Sequence, residues 1–143
     1  MVATALSLSA CAYSAVGNFT ASDFHLRTYR SLALSESTGD RELNPLEPGV
    51  QKTAFRVIRP ELLVRGYKMA PAEKADLVLY TGMIKRQSGD QTLVVRVSDR
   101  ERKRLVWQRA TSVGSAPKDQ RIVSAVKQLA VTLPKADARP VAY

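Results

Sequence analysis

The sequence predicts one α+β domain, in which a four-stranded mixed sheet of order β-α-β-β-β-α carries two helices on one face. Two stretches repeat apolar residues at helical spacing, and each is bounded by glycine or proline. Four shorter stretches are apolar or alternate apolar with polar residues, and turn-forming residues separate the last three. With 45% hydrophobic and 24% charged residues, the 143-residue chain has the composition of a globular domain with a sizeable core.

The front half predicts a strand followed by a helix. Residues 29–34 form the first strand, and residues 35–48 are a loop by composition. The helix begins near residue 50, where one apolar stripe is formed by Val50, Ala54, Val57 and Ile58. Pro60 lacks an N–H and clashes with the preceding turn, so we expect a kink or break at Arg59 and a short second piece ending before Gly66.

The back half predicts an antiparallel meander. Residues 75–85 form the central strand, because residues 77–80 are continuously apolar. Residues 91–99 alternate as a strand does, and the fourth strand, residues 105–113, has Trp107 in its middle. The first and central strands should be parallel neighbours, joined by a right-handed crossover through the helix.

The last helix is predicted over residues 119–133, with Asp119 as its N-cap and Pro134 as its end. Its apolar stripe consists of Ile122, Val126, Leu129 and Leu133. The predicted organisation is therefore a signal peptide at residues 1–10, an anchor and tether at 11–22, one domain at 23–134 and a loose tail at 135–143.

Leu8-Ser9-Ala10-Cys11 is a lipobox-like tetrapeptide that ends in the only cysteine. Residues 2–10 are apolar or small and uncharged, long enough for a signal peptide's apolar region and too short to cross a bilayer. The Cys11 thiol would carry the diacylglyceryl group, and the alternative is a buried structural cysteine. No Lys or Arg precedes Cys11, so the basic first part of a signal peptide is missing; an upstream start codon or a trimmed N-terminus would explain this.

The charged residues indicate an anionic partner and do not indicate catalysis. Lys and Arg number 22 against 13 Asp and Glu, and the densest basic run is Arg100, Arg102, Lys103 and Arg104. This run lies at a hairpin tip, where it either grips phosphates or carboxylates or is a solvated turn that discourages edge pairing. One histidine, His25, and one cysteine make no metal site, and no nucleophile motif or phosphate loop is present. The sequence thus predicts no cofactor, no metal and no catalytic residue.

Several short motifs occur in an order that resembles a known family. They are Asn44-Pro45 before the helix, Leu63-Val64-Arg65-Gly66-Tyr67 after it, Ala75-Asp76-Leu77-Val78, Val97-Ser98-Asp99, Leu105-Val106-Trp107 and Leu133-Pro134. Residues 24–134 thereby resemble the domain-of-unknown-function-4136 family of small Gram-negative lipoproteins. Pro60 and the short link between residues 85 and 91 depart from that family's pattern.

The resemblance implies a lipid-anchored envelope protein without an assigned activity. Because Ala12 rather than aspartate follows Cys11, we expect the periplasmic face of the outer membrane. The expected partners are the membrane, through the lipid on Cys11, and the cell wall or another envelope protein. The alternative is a soluble basic domain that binds nucleic acid or another polyanion, which is less favoured because few aromatic side chains lie on the predicted sheet.

Overall fold

The computed structural model describes residues 17–37 and 42–136. Cys11, the predicted signal peptide and residues 137–143 of the predicted tail lie outside this part. The strands are β1 (Phe19–Thr20), β2 (Ser31–Leu34), β3 (Lys68–Met69), β4 (Leu77–Lys85), β5 (Gln91–Asp99) and β6 (Arg104–Gly114). The helices are α1 (Pro48–Val64) and α2 (Asp119–Ala130), with a 3-10 turn at Phe24–Leu26.

The α+β class is confirmed, but the prediction of a four-stranded sheet is wrong. Six strands lie in the order β1-β6-β5-β4-β2-β3. The meander β4-β5-β6 is antiparallel, and β2 pairs in parallel with both β4 and β3. The first and central predicted strands are therefore parallel neighbours, as expected.

The two additional strands are the sheet edges, and each contains only two residues. A two-residue strand is too short to show alternation of apolar and polar side chains, so it leaves no pattern to detect. β1 lies in the stretch that the sequence predicts as tether, and it pairs antiparallel with β6, Phe19 opposite Gln108.

The helix break predicted at Arg59 does not occur, because α1 is continuous with Pro60 inside it. The proline deprives the Arg56 carbonyl of its donor, yet Arg56 and Pro60 both lie on the exposed side, where water can replace that donor. On the opposite side Ile58 and Leu62 are completely buried. This packing holds the helix together across the proline.

Both helices lie on one face of the sheet. A single apolar core joins alternate residues of β4 and β5 to both helices, and it includes Leu79, Val95, Ile58 and Val126. Asp119 is the first residue of α2 and not its N-cap, since Lys118 occupies that position. The carboxylate of Asp119 therefore lies in the first turn, where its negative charge interacts favourably with the positive end of the helix dipole.

The strands define two ends of the sheet. Leu77 at the start of β4 pairs with Asp99 at the end of β5, and Asp99 pairs with Arg104 at the start of β6. This end, here called the hairpin end, also receives the start of β3, since Lys68 pairs with Ser31. Because α1 stops only a few residues before Lys68, its C-terminus reaches the same end.

Candidate anion-binding surface

The basic run predicted from the sequence forms the turn between β5 and β6. Residues 100–103 make the turn and Arg104 begins β6. The Lys103 N–H donates to the Asp99 carbonyl over 2.8 Å and closes the turn. Lys103 has a φ of 54°, and among the described residues it is the one non-glycine in the left-handed region. The hairpin thus accepts a strained residue at its tip.

Each of the three arginines in the run is fastened to the domain by one group. Arg100 Nε donates to the Ala75 carbonyl at 2.6 Å. Arg102 Nη1 lies 3.2 Å from Asp99 Oδ2, and Arg104 Nη2 donates to Asp23 Oδ2. All three side chains remain exposed, and a guanidinium has five N–H groups. Each of these guanidinium groups therefore has further N–H donors available for an external anion, while its one contact with the domain restricts the position of the side chain.

Asp99 is the buried acceptor beneath this turn. Its residue is 1% exposed, and it accepts from the Tyr29 hydroxyl at 2.8 Å and from the Arg102 N–H at 2.9 Å. Burial raises the pKa of Asp99, but the hydrogen bonds from Arg102 and Tyr29 outweigh it and hold that pKa below the usual value. Burial and the Asp99 hydrogen bond raise the pKa of Tyr29 to about 12. Asp99 therefore stays ionised and Tyr29 stays protonated at neutral pH.

Asp23 fastens the other side of the turn. Its carboxylate receives Arg104 and also Arg27, whose Nε lies 3.3 Å away. Desolvation raises the pKa of Asp23, but the Arg104 and Arg27 contacts more than offset it and lower that pKa. The segment that enters the sheet through β1 is thereby tied to the hairpin tip.

Lys103 differs from the arginines. Across residues 17–37 and 42–136 its ammonium makes no ion pair or hydrogen bond, and the side chain is exposed. Further exposed cations lie at the same end of the sheet. The backbone N–H groups of Arg30 and Arg100 both donate to Asp76, the first to its carboxylate and the second to its backbone carbonyl. The backbone N–H of Lys68 donates to the Arg30 carbonyl, so these two residues are adjacent.

The cations of the hairpin end that the structure brings together are Arg30, Lys68, Arg100, Arg102, Lys103 and Arg104. The sequence identified the last four as a run but missed the first two, because the sheet and not the chain places them beside the turn. It also missed Tyr29 and Asp23, which hold the turn in shape. The carboxylate of Asp99 caps the turn from a buried position.

The described residues contain no group of three His, Cys, Asp or Glu side chains arranged to hold a metal ion. His25 is exposed in the 3-10 turn, and its ring packs edge-on to Phe24 with centroids 6.0 Å apart. Cys11, the predicted lipidation residue, lies outside the described residues. None of the helices in the described part has the length and apolar character needed to cross a membrane.

Two clefts flank α1. One of about 400 Å³ lies between the helices and is lined by Val50, Val57 and Val123 among others. The other, of about 680 Å³, lies on the side of α1 away from α2, where Leu46 and Phe55 are flanked by the cations Lys52, Arg56 and Arg59.

Comparison with known proteins finds similar solved structures at low sequence identity. No family model matches the chain, and no curated protein matches it. Among solved structures it is similar to the PelC dodecamer from Paraburkholderia phytofirmans, in two crystal forms. A single-substitution variant in space group C2 is 16% identical, with a TM-score of 0.46, covering 76% of this chain and 91% of that one. The form in space group P6 is 14% identical, with a TM-score of 0.46, covering 85% of this chain and 94% of that one.

Proposed function

We propose that this protein is a lipid-anchored periplasmic module without enzymatic activity, which binds an anionic envelope polymer through the hairpin end. The observation that supports binding is the geometry of the β5–β6 turn. The side chains of Arg100, Arg102 and Arg104 each make one contact with the domain and have further N–H donors exposed. Guanidinium groups that are already positioned lose less side-chain entropy when they bind a carboxylate or phosphate. A solvated turn that merely discourages pairing would not require a buried carboxylate beneath it.

The polymer we favour is the cell wall, whose carboxylates suit a row of separate cations. Nucleic acid is less well supported, because single-stranded binding uses exposed aromatic rings on which bases stack. Trp107 is completely buried in this domain. Tyr80 is partly buried and packs beside the small cluster of Ala33, Ala75 and Val78.

The anchoring part of the proposal comes from the sequence. It depends on the lipobox-like segment ending at Cys11, on the resemblance to the lipoprotein family and on Ala12, which favours outer-membrane sorting. Two or more acyl chains would be needed for stable attachment, since one chain alone holds a protein only marginally. The mass of the mature protein, made from its native gene, tests this directly. An intact N-terminus without acyl groups contradicts the anchor and leaves the binding proposal to be judged separately.

Binding is tested with the chain carrying Cys11→Ser, so that no lipid contributes to sedimentation with isolated cell wall. Lys103→Glu is the informative variant, because Lys103 makes no contact inside the described domain and its reversal leaves the fold intact. We expect reduced co-sedimentation that weakens further with salt. Lys85→Glu at the other end of the sheet is the matched control, because Lys85 is also an exposed lysine without an ion pair among the described residues. Equal losses from both variants would mean that only net charge matters, and retention on DNA but not on cell wall would favour the nucleic-acid alternative.

A further inference from the structure

The outer side of α1 presents a stripe of cations that ends in an exposed leucine. Lys52, Arg56, Arg59 and Leu63 are spaced i, i+4, i+7 and i+11. At 3.6 residues per turn these four positions fall within an arc of about 60°. All four are exposed, so the stripe is an open surface along the whole helix.

The aliphatic end of the stripe is unusual for this molecule. Leu63 is 51% exposed and its neighbour Val64 is 84% exposed. Of the described residues only Phe19, at 40%, is another large apolar side chain exposed to a similar degree. Leu63 lies within the arc of the cations, in the last turn of α1 at the hairpin end of the sheet, whereas Val64 points about 100° away from it around the helix.

The cations of the stripe are not used within the domain. Over residues 17–37 and 42–136, Lys52, Arg56 and Arg59 make no ion pair. The one carboxylate in the C-terminal half of α1, Glu61, is directed toward α2, where Lys127 lies 3.9 Å from it.

We propose that this stripe is a membrane-contact surface, which rests the side of α1 on an anionic phospholipid bilayer and inserts Leu63 among the headgroups. Each cation near an anionic bilayer strengthens binding about fivefold. One exposed leucine among cations offers far less contact area than the surface of about 800 Å² per partner that a stable protein–protein interface buries. Cations that act together with an apolar side chain are typical of an interfacial lipid contact. This surface is separate from the Arg100–Arg104 turn, and the proposal does not require Cys11 to be lipidated.

The single cysteine permits a site-resolved test. Cys11→Ser removes the only thiol, and Leu63→Cys then gives one position on the stripe for an environment-sensitive fluorophore. We expect a blue shift when vesicles containing phosphatidylglycerol are added, and none with vesicles of phosphatidylcholine alone. Gln128→Cys on the exposed side of α2 is the matched control and should not respond. A response at both positions, or at neither, overturns the proposed orientation.

Charge variants measure the electrostatic part and separate it from the high net charge of the chain. Replacing Lys52, Arg56 and Arg59 by Gln should lower vesicle affinity on the order of a hundredfold. Removing three exposed cations elsewhere, by Lys85→Gln, Lys118→Gln and Lys135→Gln, should lower it about tenfold or less, because long-range attraction remains. Similar losses in the two triple variants would overturn the stripe. In the absence of vesicles the two triple variants should bind cell wall equally well, because neither alters the hairpin end; a selective loss in the stripe variant would mean that the two surfaces are not separate.

Discussion

Lys103 links the strain of the hairpin tip to the binding proposal, and its replacement by glycine should change stability and binding in opposite directions. A non-glycine residue in the left-handed region costs about 1–2 kcal/mol. Glycine avoids this cost but loses about 0.5–1 kcal/mol more backbone entropy on folding. With φ at 54°, the difference predicts that Lys103→Gly raises the free energy of unfolding by about 0.5–1 kcal/mol. The melting temperature should then rise by about 2–4 °C.

The same variant removes a cation of the hairpin end that makes no ion pair within the described domain. Co-sedimentation with cell wall should weaken about two- to fivefold, the range expected for one exposed ion pair. Lys103→Gln separates the two effects, since it removes the charge and keeps the strained backbone. It should lose binding as Lys103→Gly does, without the gain in melting temperature. A lower melting temperature for Lys103→Gly would refute the strain argument, and unchanged sedimentation of both variants would remove Lys103 from the binding surface.

Four further predictions concern the interior. Tyr29→Phe removes a hydrogen bond to an ionised acceptor and should cost about 1–3 kcal/mol at neutral pH, measured by urea unfolding. The pKa of Asp99 is lower in the folded state, so its contribution is present above about pH 4 and is lost as the pH falls through the folded value. The stability gap between the natural chain and Asp99→Asn should therefore narrow in acid, and a constant gap would contradict this reasoning. Gly82→Ala should cost about 1–3 kcal/mol, because a Cβ there would lie 2.7 Å from Leu43 Cβ. Adding Leu43→Ala should not restore stability since that Cβ remains, and full rescue would place the clash elsewhere. Thr81→Val should raise the free energy of unfolding by about 1 kcal/mol, because the buried Thr81 hydroxyl has no hydrogen-bond partner among the described residues. A lower melting temperature of this variant in thermal unfolding would mean that the hydroxyl does have a hydrogen-bond partner.

The long elements of the fold are predictable from the sequence because each has its own periodicity. The strand predicted at residues 91–99 coincides with β5, and that at 105–113 lies within β6. The edges are not predictable, since β1 and β3 exist only through pairing with residues far along the chain. The effect of Pro60 is also decided by tertiary structure. A proline inside a helix destabilises it locally, but the burial of Ile58 and Leu62 on the other side of α1 stabilises the helix by more.

The candidate site was predictable in part. Its cations are contiguous, so the run from Arg100 to Arg104 can be read from the sequence. The groups that shape it come from distant segments, as Asp23 and Tyr29 do, and only the folded sheet places them there. The aliphatic end of the α1 stripe had no sequence signal, because Leu63 and Val64 look like core residues until their exposure is measured.

The place where the chain enters the sheet bears on how an anchored domain would be oriented. Gln108 Nε2 donates to the Gly17 carbonyl, which fixes Gly17 near the middle of β6. The six residue steps from Cys11 to Gly17 span at most about 21 Å, and half of β6 is about 19 Å long. A tether of that reach would allow either end of the sheet to approach the membrane, so a lipid on Cys11 would hold the domain close without orienting it. A second, weak contact through α1 would then select one orientation at high effective concentration. If Cys11 is lipidated, Leu63→Ser should therefore abolish the preferred orientation on the membrane and leave the attachment itself unchanged.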